Sequence, residues 1–247
     1  MLTDFPLQRL SEFGSMSPAE LAMLDRAVDP PVRLARLAIM RSQGDAPDSI
    51  YLLQEGWACS SVTLPSGERQ LTKIHLPGDF MGVPSVCLTE SVDTIFALTP
   101  VIARKLSAHK LGELFSSLPG LAARLYLFAQ RERVILMDRL SALGAKRAVG
   151  RLAALLLDLH ERLSKIGLAR DHEFVLRLTQ DEIGDYLGLT AVHVNRTFRQ
   201  LEDGGLIERR LQRIKLLKFD ELAEVSGYVS RSIDERSLDI FRSCAIR

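Results

Sequence analysis

The sequence predicts an α+β chain: an amino-terminal antiparallel β-roll of jelly-roll type, a long helix, and a carboxy-terminal domain of two short helices followed by a β-hairpin. Three observations carry that reading. Glycines 44, 56, 67, 78 and 82 punctuate the first half at intervals suited to turns between short strands. After Leu118-Pro119-Gly120, no proline or glycine occurs before Gly144, which leaves room for one uninterrupted helix. Residues 179–201 read as two amphipathic segments around a glycine turn.

The elements follow in order. Ser17-Pro18-Ala19-Glu20 opens a short helix: the serine caps, proline is tolerated in the first turn, and the glutamate sits near the positive helix end. Residues 49–53, 57–64 and 69–76 are the strands between glycines, and residues 94–98 and 101–106, parted by Thr99-Pro100, add two more. In the long helix, Leu121, Leu125, Phe128 and Ile135 form one apolar stripe, and Leu136, Leu140 and Leu143 a second. One stripe can pack on the roll, which leaves the other for a partner. Arg131, Glu132, Arg133, Asp138 and Arg139 argue against burial all round, so this is read as a dimerisation helix using Leu121, Leu125, Phe128, Ile135, Leu136 and Leu140. The expected domains are residues 1–116 (the roll), 117–143 (the dimerisation helix), 144–222 (helix pair and hairpin) and 223–247 (a helical tail).

The helix pair is the most specific stretch. Ile183 and Leu187 mark the inner face of the first segment, and Val194, Thr197, Phe198 and Leu201 that of the second. Gly184 leaves space where the helices meet, Gly188 can take the positive φ of a sharp turn, and Thr190 is a good N-cap. The outer face then holds Val192, His193, Asn195, Arg196 and Arg199, with no acidic residue among them. Such a helix-turn-helix suits double-stranded DNA. Val192, His193, Asn195 and Arg196 are expected at base edges; Thr179, Gln180, Thr190 and Arg199 are expected at phosphates. Beyond Gly204-Gly205, a basic run alternates with leucine and isoleucine. It reads as a winged-helix hairpin carrying Arg209, Arg210 and Arg213 to the phosphate backbone.

Charge agrees with a local rather than a global attraction. The whole chain is formally +1, but residues 146–218 hold 14 Lys/Arg against 10 Asp/Glu. No apolar run reaches the roughly 18 residues of a membrane span, and the first residues lack a secretory pattern, so a cytoplasmic protein is expected. His160-Glu161-Arg162-Leu163-Ser164 starts like a zinc-protease helix but has serine where the second histidine is required. Asp171-His172-Glu173 reads as a charged loop joining a helix to a strand. With no Walker or Rossmann glycine loop either, an enzyme is not expected. An alternative is a ligand-sensing interaction protein whose winged helix docks another protein.

The order of parts resembles the CRP/FNR superfamily of bacterial transcription regulators. The resemblance rests on Gly44-Asp45 with Tyr51-Leu52-Leu53-Gln54-Glu55-Gly56, on His75-Leu76-Pro77-Gly78-Asp79-Phe80-Met81-Gly82, and on residues 178–201. It implies a cyclic-nucleotide-binding-like sensory roll, a homodimer, a partly palindromic operator, and RNA polymerase as a further partner. It also places an effector pocket at Gly78, Asp79, Phe80, Gly82, Ser85 and Cys87. Two departures matter. Arg196 matches the family's base-reading arginine, but Val192 stands at its glutamate position, so a different operator is expected. Family members that bind cyclic nucleotides carry an Arg-Ser or Arg-Thr pair after the glycine-acid turn, whereas VPSVCLTESVDTIFAL after Gly82 contains no arginine. Cyclic AMP is therefore not the expected effector. An iron-sulfur cluster is disfavoured because Cys59, Cys87 and Cys244 are three and scattered. Cys59 and Cys87 are expected to be small buried hydrophobes. Haem is disfavoured too, since His75 and His109 stand alone. The effector is left unknown, and a hinge at residues 142–146 is expected to pass its state to the DNA-binding part.

Overall fold

The computed structural model describes residues 12–13, 15–145 and 147–231, with side chains 142–145 excepted. The expected contributions of Leu143, of the hinge side chains, of Cys244 and of the tail beyond residue 231 lie outside the described residues. The chain divides into two compact units. Among the described residues, Thr72–Val134 and those up to Gly67 form the first, and Glu68–Leu71 with those from Ile135 to Arg231 form the second.

Apart from Arg69–Leu71, the first unit holds two four-stranded sheets. One runs β1(Val32–Leu34), β8(Val101–Ser107), β3(Ser49–Glu55), β6(Phe80–Met81). The other runs β2(Ile39–Arg41), β7(Thr94–Ala97), β4(Ala58–Thr63), β5(Arg69–His75). The expected strands are all there; β1, β2 and β6 are additions, too short to show a periodicity of their own. Turn glycines 44, 56, 67, 78 and 82 all have positive φ. At Gly56 the space matters as well, because a Cβ would lie 2.2 Å from the Pro100 carbonyl oxygen.

Helix α1(Pro18–Ala27) begins with the expected Ser17 cap, and the Glu20 side chain closes it into a capping box by accepting from the Ser17 N–H. Helix α2(Ala108–Ser117) follows β8, and the long helix α3(Pro119–Ala145) follows in turn. One stripe of α3 differs from the expected dimerisation face. Leu121, Leu125 and Phe128 are buried in a core with Leu24, Ile50, Leu52, Phe80 and Leu106. They hold the helix to its own roll and are not available to a partner. Phe128 meets Phe80 edge-on at 6.2 Å, and the Lys73 ammonium sits 5.2 Å from the Phe128 centroid while pairing with Glu132 at 2.5 Å. The second stripe is different: Leu136 is 50% and Leu140 60% exposed, with Met137 exposed beside them and Ile135 half-buried.

The second unit is built on α4(Ala148–Lys165), whose buried face of Leu152, Leu155, Leu156, Leu159 and Leu163 forms the floor of the domain. Around it lie α5(Gln180–Leu187), α6(Ala191–Asp203), α7(Phe219–Ser226) and a sheet ordered β11(Ile207–Arg210), β12(Arg213–Leu216), β10(Glu173–Val175), β9(Ala169–Arg170). Asp171 and His172 do not join a helix to a strand. They are the two-residue turn of the β9–β10 hairpin, both at positive φ, +50° and +61°.

Candidate nucleic-acid interface

Local signals fix the helix pair. Thr179 Oγ1 accepts from the Glu182 N–H at 3.2 Å, and the Glu182 carboxylate accepts from the Thr179 N–H at 2.8 Å. Helix α5 stops at Gly188, in the left-handed region at φ +67° and ψ +46°. The Leu189 N–H donates to the Gly184 carbonyl at 3.0 Å, and Thr190 Oγ1 accepts from the His193 N–H at 3.3 Å to start α6. Val194, Thr197, Phe198 and Leu201 are fully buried, and the Thr197 hydroxyl is satisfied by donating to the His193 carbonyl at 2.8 Å.

What remains outward is the expected set. Val192 is 81% exposed, Arg196 and Arg199 are exposed, and His193 and Asn195 are half-buried. Among the described residues no carboxylate pairs with Arg196 or Arg199. Thr179, Gln180 and Thr190 are exposed at the starts of the two helices.

The wing pairs from Ile207↔Leu216 to Arg210↔Arg213, leaving Leu211 and Gln212 as its tip. Arg210 contacts Glu208 at 2.5 Å and Arg213 contacts Glu173 at 2.8 Å, both pairs on the surface. Such pairs are worth about 0–1 kcal/mol, so they compete weakly with a phosphate. Arg209 departs from expectation. It lies 4.6 Å from the Phe198 ring centroid, pairs with Glu202 at 3.4 Å and donates to Asn195 Oδ1 at 3.5 Å. Strand parity is the reason: Ile207 is buried, so Arg209, two residues on, shares its inward face and braces the wing against α6. That parity was available in the sequence.

In the roll, the residues expected to line an effector pocket separate. Phe80 is core, and the Asp79 carboxylate accepts from the Leu76 N–H at 3.0 Å, closing its own turn around Gly78. Cys59 is buried as expected, but Cys87 is exposed at the end of a 3-10 turn, with Sγ 3.5 Å from the Pro84 carbonyl oxygen. Gly82 and Ser85 do face a common group, and sequence reasoning missed it. Arg41 arrives from β2, 41 positions before Gly82, and is only 4% exposed. Its Nη2 donates to Asp93 Oδ1 at 3.0 Å and to Ser85 Oγ at 3.2 Å, while Nη1 reaches the carbonyls of Ser49 and Gly82 at 3.3 and 3.4 Å. A Cβ on Gly82 would lie 2.7 Å from Nη1.

A capped helix-turn-helix with a basic outer face, backed by a hairpin wing, defines a DNA-binding winged-helix domain. Residues 150–225 match the Crp-like helix-turn-helix domain and residues 31–117 the cyclic nucleotide-binding domain. The transcriptional regulatory protein btr of Bordetella pertussis is 30% identical over 87% of this chain and 88% of its own length. The fumarate and nitrate reduction regulatory protein of Escherichia coli K12 is 25% identical over 87% and 85%. The fold of FixK2 from Bradyrhizobium japonicum superposes with a TM-score of 0.73 at 24% identity, covering 81% of this chain and 98% of that one. The chain belongs to the CRP/FNR family of DNA-binding transcription regulators. These relatives are regulators rather than enzymes, and no helix among the described residues is long and apolar enough to cross a membrane.

The family's cyclic nucleotide does not fit the roll as built. A cyclic phosphate needs a free cation beside the Gly82 turn. The cation there, Arg41, is already neutralised by Asp93, whose carboxylate would repel a second anion.

Proposed function

We propose that the protein binds a partly palindromic operator as a homodimer, with the second stripe of α3 at the two-fold axis and one α6 in each of two successive major grooves. The observation that carries the reading is the state of Arg196 and Arg199: exposed, without a carboxylate partner among the described residues, on a helix whose opposite face is wholly buried. Arg196 is the bidentate guanine reader, Val192 offers apolar contact to a thymine methyl, and His193 and Asn195 flank them. Thr179, Gln180, Thr190, Arg199, Arg210 and Arg213 hold phosphates. The roll modulates this binding, and RNA polymerase is the further partner through which it acts on transcription in the cytoplasm.

Selection from a random duplex library with the purified full chain tests the proposal. An enriched palindrome with half-site centres about 34 Å apart, one helical turn, is the expected result. Binding that does not weaken as salt rises would favour the docking of another protein by the same face.

A further inference from the structure

Asp93 holds Arg41 in an incomplete way. A guanidinium presents five N–H donors in a fork that suits two carboxylate oxygens at once. Here only Asp93 Oδ1 is engaged: it accepts from Nη2 at 3.0 Å and also from the Ser85 hydroxyl at 3.3 Å. The two carbonyl contacts of Nη1 are long, and Arg41 Nε is buried with no acceptor among the described residues. Three polar side chains, Arg41, Ser85 and Asp93, therefore share one buried cluster that lacks a second acceptor oxygen. Asp93 belongs to the connection from the 3-10 turn to β7, in which Leu88, Thr89, Glu90 and Val92 are exposed. The backbone N–H of Val92 is tied to the same Ser85 hydroxyl at 3.3 Å.

We propose that Arg41 and Ser85 form an oxyanion site whose resident ligand is the protein's own Asp93 carboxylate, and that a small carboxylate takes the site when Asp93 is removed. The inference stands on the roll alone and is independent of the DNA interface. Its chemistry is plain. Asp93 delivers one oxygen to a donor set built for two. A free acetate, unconstrained by the chain, presents both oxygens to Nε and Nη2 and accepts from Ser85 as well. In the native chain the tethered carboxylate is always present at high effective concentration, so soluble carboxylates are excluded. The roll thus carries in its own sequence the anion that a ligand would otherwise bring.

The test is thermal unfolding of the full chain in sodium acetate against sodium chloride at matched ionic strength, for the native protein, Asp93→Ala, and Arg41→Met/Asp93→Ala. The expected result is an acetate-dependent rise in midpoint for Asp93→Ala that exceeds by several degrees the common difference between the two salts shown by the other two proteins. Calorimetric titration of acetate into Asp93→Ala should show at least tenfold tighter binding than into the native chain. Inorganic phosphate is the companion probe: a response to phosphate but not to acetate would overturn the carboxylate assignment. A flat response of Asp93→Ala to both anions, or an equal response in the double variant, would overturn the site. Should Asp93→Ala not fold in chloride, Asp93→Ser, which keeps a hydroxyl acceptor, carries the same comparison. Folding of Asp93→Ala in acetate alone would itself support the site.

Discussion

The carbonyl oxygen of Leu189 occupies the space where a side chain on Gly184 would begin: a Cβ there would lie 2.4 Å from it. The same pair of residues closes the turn, through the Leu189 N–H and the Gly184 carbonyl at 3.0 Å. The turn that aims α6 therefore depends on a missing methyl group. Gly184→Ala must open the turn or push α5 away. It should cost about 1–3 kcal/mol, the usual range for forcing extra volume into a packed site. Denaturant unfolding of the full chain measures the cost, and duplex binding should fall with it. A variant as stable as the native chain would show that the turn relaxes freely.

The arginines of α6 and of the wing should behave differently when removed. Arg196→Ala is expected to cost about 1–3 kcal/mol against the selected operator and to relax preference at one base pair of each half-site. Arg210→Ala should weaken all duplexes alike and reduce the slope of log affinity against log salt by about one. Titrations of matched and single-substituted duplexes at several salt concentrations separate the two. Unchanged base preference in Arg196→Ala would remove that residue from the readers.

These two arginine classes also show what the sequence could and could not reveal. The recognition segment was legible because its signals are local: caps at Thr179 and Thr190, glycines at 184 and 188, and a helical stripe ending at Leu201. The roll was legible as turns and strands for the same reason. Arg209 could have been placed by counting alternate residues from Ile207. Arg41 could not. Its partners come from three other segments, at Ser49, Gly82–Ser85 and Asp93, and only the pairing of β2 with β7 brings it to them. A buried ion pair between residues 52 apart has no local sequence signature.

The split of α3 into two stripes gives the next expectation. Leu140, 60% exposed, belongs to the stripe left free of the roll, while Leu121 is fully buried within it. Leu140→Glu should dissociate the dimer and change the monomer's stability little, because most of the side chain is already exposed. Leu121→Ala should cost about 2–5 kcal/mol of roll stability and leave association intact. Sedimentation velocity across a concentration series, paired with denaturant unfolding, reads both. Dimers of undiminished affinity in Leu140→Glu would move the two-fold axis elsewhere.

Acid should loosen the second unit in two steps. His160 stacks on His172 with ring centroids 5.6 Å apart, and Phe174 and Phe219 pack around it at 6.2 and 5.9 Å. Burial, and then the charge of His172, hold His160 below its ordinary value of 6.5, against the pull of Glu161. A group depressed on folding binds fewer protons in the folded state than in the unfolded one. Its contribution is therefore fully present above about pH 6.5 and declines as pH falls from there toward the depressed folded value. Glu161 acts lower. Burial would raise it, but hydrogen bonds from Tyr228, Ser230 and Lys165, with the Lys165 charge, bring it below 4.5, so its share is lost only under more acid conditions. Urea midpoints between pH 7.5 and 5.5 should fall in the native chain and fall less in His160→Phe. Parallel curves would mean that His160 is not the titrating group.

The wing tip supplies the last prediction, in which stability and function move apart. Leu211 is 100% exposed and sits at φ +55°, a conformation that leucine adopts only at a cost of about 1–2 kcal/mol. It makes no core contact to offset that cost, and it stands between Arg210 and Arg213, the two wing arginines that face outward. An apolar side chain held in a strained turn between the two arginines proposed for phosphates is placed to press on the sugar edges of a DNA groove. Leu211→Gly relieves the strain, so the folded chain should hold its stability or gain up to about 1 kcal/mol. Operator affinity should fall by about tenfold, with base preference retained, since sugars carry little sequence information. Thermal unfolding and duplex titration on the same preparation decide the matter. A more stable variant that binds DNA as tightly as before would reduce Leu211 to a surface accident. A less stable one would show that the tip is held by contacts the leucine makes at home.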